Sequence, residues 1–552
     1  MMPSQENRFD YIVVGAGSAG CIMAYRLSSD PRNRVLLVEA GGPDDHPFIQ
    51  MPRGLAKIIG DLKLIWPFMT EPEHASNDAG EFWARGRTLG GSSAINGMMY
   101  VRGQAADYEE LAGLAGEDWD WLHISKAYRE LENHELGADA TRGDNGPLHI
   151  TMPTDRSPLT EAIIEAGSQL GYVKCADVND PSDQARIGYA PRTIHKGQRE
   201  SAATAFLHPV RHRPNLTVAT GFTVDRILFT GKKATGISGK HEGAETAWHA
   251  TREVIVAAGA LATPAILQRS GVGSASHLTA LGIDVVQDLP GVGQNLREHR
   301  GIVMQWRVRD KDSENRQYQG WRLLLNASRY FLGRQGPMTS AAYEIGAWFR
   351  LLPESTRLDS QFLIAPYTFD RNSPKPRVET AGGLNICAYM LRPSASGTVM
   401  IRSSDPTELP RISPAFANEA DRRHMVELMR EARRYVQQSA LAPFVIEETV
   451  PGPEYQSDEE LAEAHRKFGY ANYHACGTCR MGKGDDAPVD SRLRVRGVEG
   501  LRVADTSVFP FMLAGNTQAP AMAVAWRGAD LILEDAATTA APDTFNHNMC
   551  KE

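Results

Sequence analysis

Phe9-Asp10-Tyr11-Ile12-Val13-Val14-Gly15-Ala16-Gly17-Ser18-Ala19-Gly20 runs from a short apolar segment straight into a G-x-G-x-x-G turn. Residues 9–14 have the pattern of a buried parallel strand. Gly15 permits the tight turn, Gly17 lets backbone approach a pyrophosphate, and Gly20 lets the next helix pack closely on the strand. A helix predicted over residues 18–29 aims its unpaired N–H groups and positive dipole end at the phosphates, starting with Ser18 and Ala19. A second strand, predicted over 34–38, ends at Glu39, 19 residues beyond Gly20. A carboxylate there hydrogen-bonds ribose hydroxyls and repels a 2′-phosphate. Glycine turns also serve ordinary strand–helix packing. Here strand, turn, helix, second strand and acid all fall in order, and together they predict an adenine dinucleotide, FAD or NAD but not NADP.

The 552 residues suffice for two domains or one large discontinuous one. With 42% hydrophobic and 23% charged residues, the composition is that of an ordinary globular protein. The net charge of −8 leaves no footprint for nucleic acid or an anionic membrane. No apolar run approaches the roughly 20 residues of a spanning helix, and residues 1–8 lack the apolar core of a secretory signal. The expected compartment is therefore the cytoplasm. Six cysteines are scattered at 21, 175, 387, 476, 479 and 550, which is no disulfide framework. Cys476-Gly-Thr-Cys479 follows no thioredoxin-like strand and has no second pair for zinc, so both are read as structural thiols and no metal is expected.

Further strands are predicted over 215–220, 222–229, 253–258 and 501–505, with a helical stretch opened by Trp119 and Trp121 and running to Asn133, a helix starting in Ala260–Pro264 with Pro264 in its first turn, and a final helix over 522–533. Residues 301–450 are rich in aromatics and arginines and read as a substrate-side lobe inserted between parts of the cofactor domain. The predicted division is a discontinuous cofactor domain over 8–155, 195–300 and 465–535, a substrate domain over 156–194 and 301–464, and a frayed polar tail over 536–552.

Four blocks now converge. They are Gly15–Gly20 with Glu39; Arg85-Gly-Arg-Thr-Leu-Gly-Gly-Ser-Ser-Ala-Ile-Asn-Gly-Met98; Gly259-Ala-Leu-Ala-Thr-Pro-Ala-Ile-Leu-Gln-Arg-Ser-Gly-Val-Gly273; and Tyr473-His474-Ala-Cys-Gly-Thr-Cys-Arg-Met-Gly482 with Asn516. Supporting matches are Arg199-Glu-Ser201, Arg213-Pro-Asn-Leu216 and Gly291-Val-Gly-Gln-Asn-Leu-Arg-Glu-His299. Over residues 9–533 the chain resembles the glucose–methanol–choline (GMC) oxidoreductases, in their choline dehydrogenase-like bacterial branch. The resemblance implies an α/β fold: a Rossmann-like FAD domain with a parallel sheet, joined to an α+β substrate domain with an antiparallel sheet. It implies FAD contacts at Gly15, Gly17, Ser18, Ala19, Gly20, Glu39, Ala40, Arg87, Leu89, Gly90, Gly91, Ser92, Asn96, Gly97, Met98, Val224, Ala258, Gly259, Asp505, Thr517 and Gln518. Some relatives attach FAD through a histidine just before the asparagine of the second block. Here that position is Ile95, so the FAD is expected to be non-covalent.

Oxidising an alcohol requires a base for the hydroxyl proton while hydride leaves the carbon, and neutral imidazole suits that role near pH 7. The resemblance implies His474 as this base, with Asn516 holding the same oxygen where many relatives have a second histidine. A primary alcohol, apolar or aryl because of the aromatic lobe, is the expected substrate. Electrons then pass to oxygen or, preferentially, to a quinone- or dye-type acceptor. A cyanohydrin-cleaving lyase on the same FAD scaffold is the alternative, with a light-driven decarboxylase and a non-catalytic flavin protein less favoured. Glu344 could face the substrate cavity or sit in a salt bridge.

Overall fold

A computed structural model of the chain describes residues 7–73, 79–241, 243–371, 373, 377–415 and 418–540. Residues 1–6 of the leader, residues 541–552 of the expected tail, and Cys550 with them, lie outside the described residues.

Strand β1 (Arg8–Val14) feeds helix α1 (Ser18–Leu27) and returns to strand β2 (Val35–Val38), as the opening motif predicts. β1 lies between β2 and a third strand, β3 (Ala244–Val256), parallel to both; Val14 is level with Val38 and Val256. Strand Leu216–Ala219 extends the parallel sheet beyond β2, and Leu501–Val503 lies parallel to the C-terminal half of β3. The N-terminal half of β3 pairs instead with an antiparallel ribbon, Phe222–Thr230 and Lys233–His241, so one 13-residue strand serves both parts. Its sequence shows only the buried C-terminal part, because residues 244–253 are exposed or half-buried apart from Trp248 and carry charges. All four residues of β2 and the last four of β1 are buried, hence their unbroken apolar run. α1 buries seven of its ten residues against this sheet.

The second sheet has eight strands and is antiparallel apart from one edge pair. Its centre is Gly383–Met390, buried along its whole length, between Arg300–Val308 and Ser360–Ala365. Strand Arg186–Tyr189 joins it through Ile345–Phe349. The 18-residue helix Glu419–Val436 covers one face, contributing Met425, Leu428, Met429 and Tyr435 to the core of this sheet. The α/β fold with a parallel and an antiparallel sheet is thus the one expected.

Helix α2 (Gln518–Ala540) packs against α1 and ties to it through an Arg26–Asp530 ion pair. It begins four residues before the predicted 522 and runs through Ala540, past residue 536, where composition predicts fraying. Ion pairs to Asp535 from Arg492 at 2.7 Å and Arg502 at 2.9 Å hold that end, and composition alone does not show such long-range partners. Among the described residues, no helix is long and apolar enough to cross a membrane.

Candidate active site

A cavity of about 440 Å³ is walled by the C-terminal ends of β1, β2 and β3 and by Tyr343, Leu363 and Tyr470 from the second sheet and its loops. The first turn is shaped as its sequence requires. Gly15 has φ +97°, and a Cβ there would meet the Ala257 carbonyl oxygen at 2.7 Å; a Cβ on Gly20 would sit 1.8 Å from the Gly15 carbonyl oxygen. Nothing lies within 4 Å of a Cβ on Gly17, which lines the cavity with Ser18 and Ala19. α1 has no side-chain cap, so its first N–H groups are left for a ligand. Glu39 lines the cavity and is 6% exposed, its carboxylate accepting from the Ala16 and Gly41 N–H groups at 2.9 Å each. Burial raises its pKa, and the Gly41 and Ala16 bonds oppose that rise.

The loop from Arg85 to Met98 forms a second wall. Ser92, Asn96, Gly97 and Met98 line the cavity, as do Ala40, Val224, Ala258, Gly259, Asp505, Thr517 and Gln518. Five expected contacts do not. Gly20 packs under the first turn, and Gly90 donates its N–H to the Ala16 carbonyl at 2.8 Å. Gly91 is so close to Gly17 that its Cβ would stand 2.7 Å from the Gly17 Cα, and Leu89 is buried with its N–H on the Gly42 carbonyl. Arg87 stacks on Trp66, 4.7 Å from the ring centroid. Apart from Leu89, these pack against residues that line the cavity or against the turn beneath it.

Asn96 is pinned on both sides: its oxygen accepts from Arg199 at 2.7 Å, and its amide donates to Gln518. Its oxygen also accepts from the N–H of Met98, whose φ of +65° is unusual for a non-glycine residue. Arg199 is buried and hydrogen-bonded to the Ile49 and Ser93 carbonyls. Its sequence match assigns it no role, because its neighbours converge only in three dimensions. Asp505 accepts from the Gly259 N–H at 2.8 Å and the Thr263 hydroxyl at 2.6 Å, joining two segments that meet at the cavity wall.

His474 lines the cavity and is 7% exposed. Its Nε2 lies 3.0 Å from Nδ2 of Asn516, and its Nδ1 lies 2.9 Å from Nδ1 of His299. The other nitrogen of His299 is 3.0 Å from the Leu391 carbonyl oxygen. A carbonyl only accepts, so Nε2 of His299 carries the hydrogen. Burial pulls the His299 pKa down to about 4, and its Nδ1 is then a bare acceptor. His474 must donate from Nδ1, which leaves a lone pair on its Nε2, the nitrogen facing the Asn516 amide. The His474 pKa lies well below the ordinary value because of burial, with His299 and Arg85 adding to the fall. Its backbone is fixed as well: Glu298 accepts the His474 N–H at 2.7 Å. Burial pushes Glu298 up to about 7, opposed by Arg85 at 3.5 Å. Sequence matching includes Glu298 and His299 without giving either a role.

Residues 9–300 match the N-terminal model of the GMC oxidoreductases, and residues 393–525 match the C-terminal one. The chain is a GMC oxidoreductase. It is 36% identical to mouse mitochondrial choline dehydrogenase over 538 residues, covering 96% of this chain and 90% of that one. It is equally identical to an alcohol dehydrogenase [acceptor] of Pseudomonas putida over 532 residues, 95% and 96% of the two chains. Among solved structures, pyridoxine 4-oxidase from Mesorbium loti superimposes with a TM-score of 0.85 at 29% identity, covering 95% of this chain and 99% of that one. This GMC oxidoreductase is an FAD-dependent alcohol oxidoreductase. Its cavity fits that cofactor: the uncapped α1 terminus suits a pyrophosphate, and Asn516 Oδ1 and Gln518 Nε2 are buried without a hydrogen-bond partner among the described residues.

The other chemically suggestive residues lie elsewhere in this GMC oxidoreductase. Cys476 and Cys479 are buried free thiols whose pKa values burial raises, and neither lines the cavity. Glu344 pairs with Arg192 and is likewise absent from the cavity wall. Sequence reading misses a cluster of His149, His195 and Glu200. Its two imidazoles lie face to face with centroids 3.7 Å apart, whereas ligands of one tetrahedral ion approach it about 109° apart. The cluster is a stacked pair anchored by the 2.9 Å contact of His149 with Glu200.

Proposed function

We propose that the enzyme oxidises a primary alcohol, apolar or aryl, to its aldehyde, with His474 as the general base and Asn516 as its partner. The observation that carries this reading is the lone pair on His474 Nε2, fixed by the Leu391–His299–His474 chain and turned to the Asn516 amide. An alcohol oxygen between these groups can accept from the Asn516 amide while its proton passes to Nε2. FAD, when bound, supplies the acceptor for the two electrons that leave the carbon. Gly15, Gly17, Ser18, Ala19 and Glu39 are proposed to hold its dinucleotide part, and Ser92, Asn96, Gly97, Met98, Asp505, Thr517 and Gln518 the remainder. Ile95 offers no nucleophile, which supports non-covalent attachment. Tyr343, Leu363, Tyr470 and Tyr473 line the cavity and support an apolar or aryl substrate. The electrons are proposed to pass to a quinone- or dye-type acceptor or to oxygen: one relative is named alcohol dehydrogenase [acceptor], and others, 38% identical, are named oxygen-dependent choline dehydrogenase. The place of Arg186–Tyr189 in the antiparallel sheet supports assigning 156–194 to the substrate domain. The cytoplasm remains the proposed compartment.

The test is anaerobic addition of primary alcohols to the purified yellow protein. Bleaching of the oxidised-flavin band is expected with an apolar or aryl member. His474→Ala should retain FAD and lose about 10²–10⁴-fold in turnover, the usual worth of a positioned base. A flavin band that no alcohol bleaches would favour the lyase, and near-normal turnover in flavin-loaded His474→Ala would remove His474 from the mechanism.

A further inference from the structure

Among the described residues, six of the sixteen large apolar side chains exposed to solvent crowd into twelve consecutive positions of one helix, Gly320–Gly333. Leu332 is 90% exposed, Leu324 70% and Trp321 69%, and Leu323, Leu325 and Phe331 complete the set. Single exposed leucines need no explanation, but a contiguous apolar face on one element marks an interaction site. The helix is held by its opposite side, where Tyr330 packs with Met51 and Met338. Phe48 bridges this cluster to Leu55 and Ile59, and the latter two line the active-site cavity. The apolar face therefore stands outside one wall of the cavity.

The charge carried by this segment itself, between Glu314 and Glu344, is one-sided. From Asn315 to Tyr343 the chain contains Arg316, Arg322, Arg329 and Arg334 and no aspartate, glutamate or lysine. None of the four forms an ion pair with a carboxylate among the described residues, although the nearby Arg53, Arg307 and Arg309 all do. Arg322 lies over the exposed Trp321 ring, whereas Arg334 lies over Tyr330 on the buried side of the helix. The net charge of −8 conceals this segment of +4.

We propose that the Gly320–Gly333 helix docks this enzyme on an anionic lipid bilayer, lying in the plane of the interface. Leucines, Trp321 and Phe331 enter the acyl boundary while the arginines meet lipid phosphates. At 14 residues the helix is about 21 Å long, too short to span a bilayer and suited to lie along it. A second copy of the chain fits poorly, because a two-fold interface would set Arg322 and Arg329 of the two copies against each other. An enzyme seated this way would meet apolar alcohols and a lipid-soluble electron acceptor where both concentrate. The docking itself rests on neither the substrate nor the acceptor.

The experiment is flotation of the holoenzyme with phosphatidylcholine vesicles, with and without phosphatidylglycerol. Binding to the phosphatidylglycerol vesicles is expected, weakening as salt rises. Leu324→Glu/Leu332→Glu should abolish binding, and Arg322→Gln/Arg329→Gln should weaken it by about 25-fold, roughly fivefold per charge. Both variants should keep wild-type flavin absorbance and dye-linked turnover, which shows that they fold. No binding to phosphatidylglycerol vesicles at low salt overturns the proposal. So does equal binding to phosphatidylcholine alone, or undiminished binding by the double-glutamate variant. A wild-type dimer that fails to float, and that Leu324→Glu/Leu332→Glu turns into a monomer, would give the face to self-association instead.

Discussion

At residue scale, the decisive feature is a proton inventory. Two histidine nitrogens 2.9 Å apart can share only one hydrogen, and the Leu391 carbonyl dictates which ring supplies it. Removing His299 would free the His474 ring to take the other tautomer. His299→Leu should therefore lower kcat by about tenfold or more, without reaching the 10⁴-fold cost of a wrong tautomer in a histidine-dependent triad. The pH dependence carries a sign. A base whose pKa is depressed stays unprotonated as pH falls through 6.5, so the acid limb of kcat/KM should lie below 6.5. Arg85 contributes to that depression, so Arg85→Ala should move the limb upward in a kcat/KM–pH profile; an unmoved or lowered limb would refute the electrostatic account. Sequence named His474 and Asn516. His299 stayed hidden because its role rests on two contacts, one spanning 175 residues and the other 92.

At the scale of elements, the first turn separates two kinds of glycine. Gly20 meets the Gly15 carbonyl, so Gly20→Ala must push α1 off β1 and should cost roughly 1–3 kcal/mol or more in a denaturant titration. Gly17 has φ −78° and open space around a Cβ, so Gly17→Ala should leave apoprotein stability within about 0.5 kcal/mol. The added methyl would project into the cavity, and FAD affinity by fluorescence titration should fall. Equal stability losses in both variants would contradict this division of labour. The strand–turn–helix–strand order was legible because each of its signals is local. β3 was legible only in its last residues, where both faces are buried, and α2 was read short because its last turns are secured by arginines outside the helix.

For the whole molecule, burial sets the reactivity of the thiols. Cys21, Cys476 and Cys479 are fully buried, and loss of solvent raises all three pKa values above the ordinary thiol. In a Cys550→Ser background, these three should resist alkylation at pH 8 until denaturant is added. Rapid labelling of Cys476 or Cys479 in the native enzyme would indicate a reactive C-x-x-C after all. The sequence by itself determined the dinucleotide turn, the acid after β2, the family and the pair His474/Asn516, because these are short patterns of backbone geometry and residue chemistry. Only the tertiary structure decided which glycines of these motifs line the cavity and which pack beside it, and which nitrogen of His474 is bare. It also left an exposed apolar helix face beside Arg322 and Arg329, which form no ion pair among the described residues. Those properties depend on which distant groups meet and which meet nothing, and a linear sequence records neither.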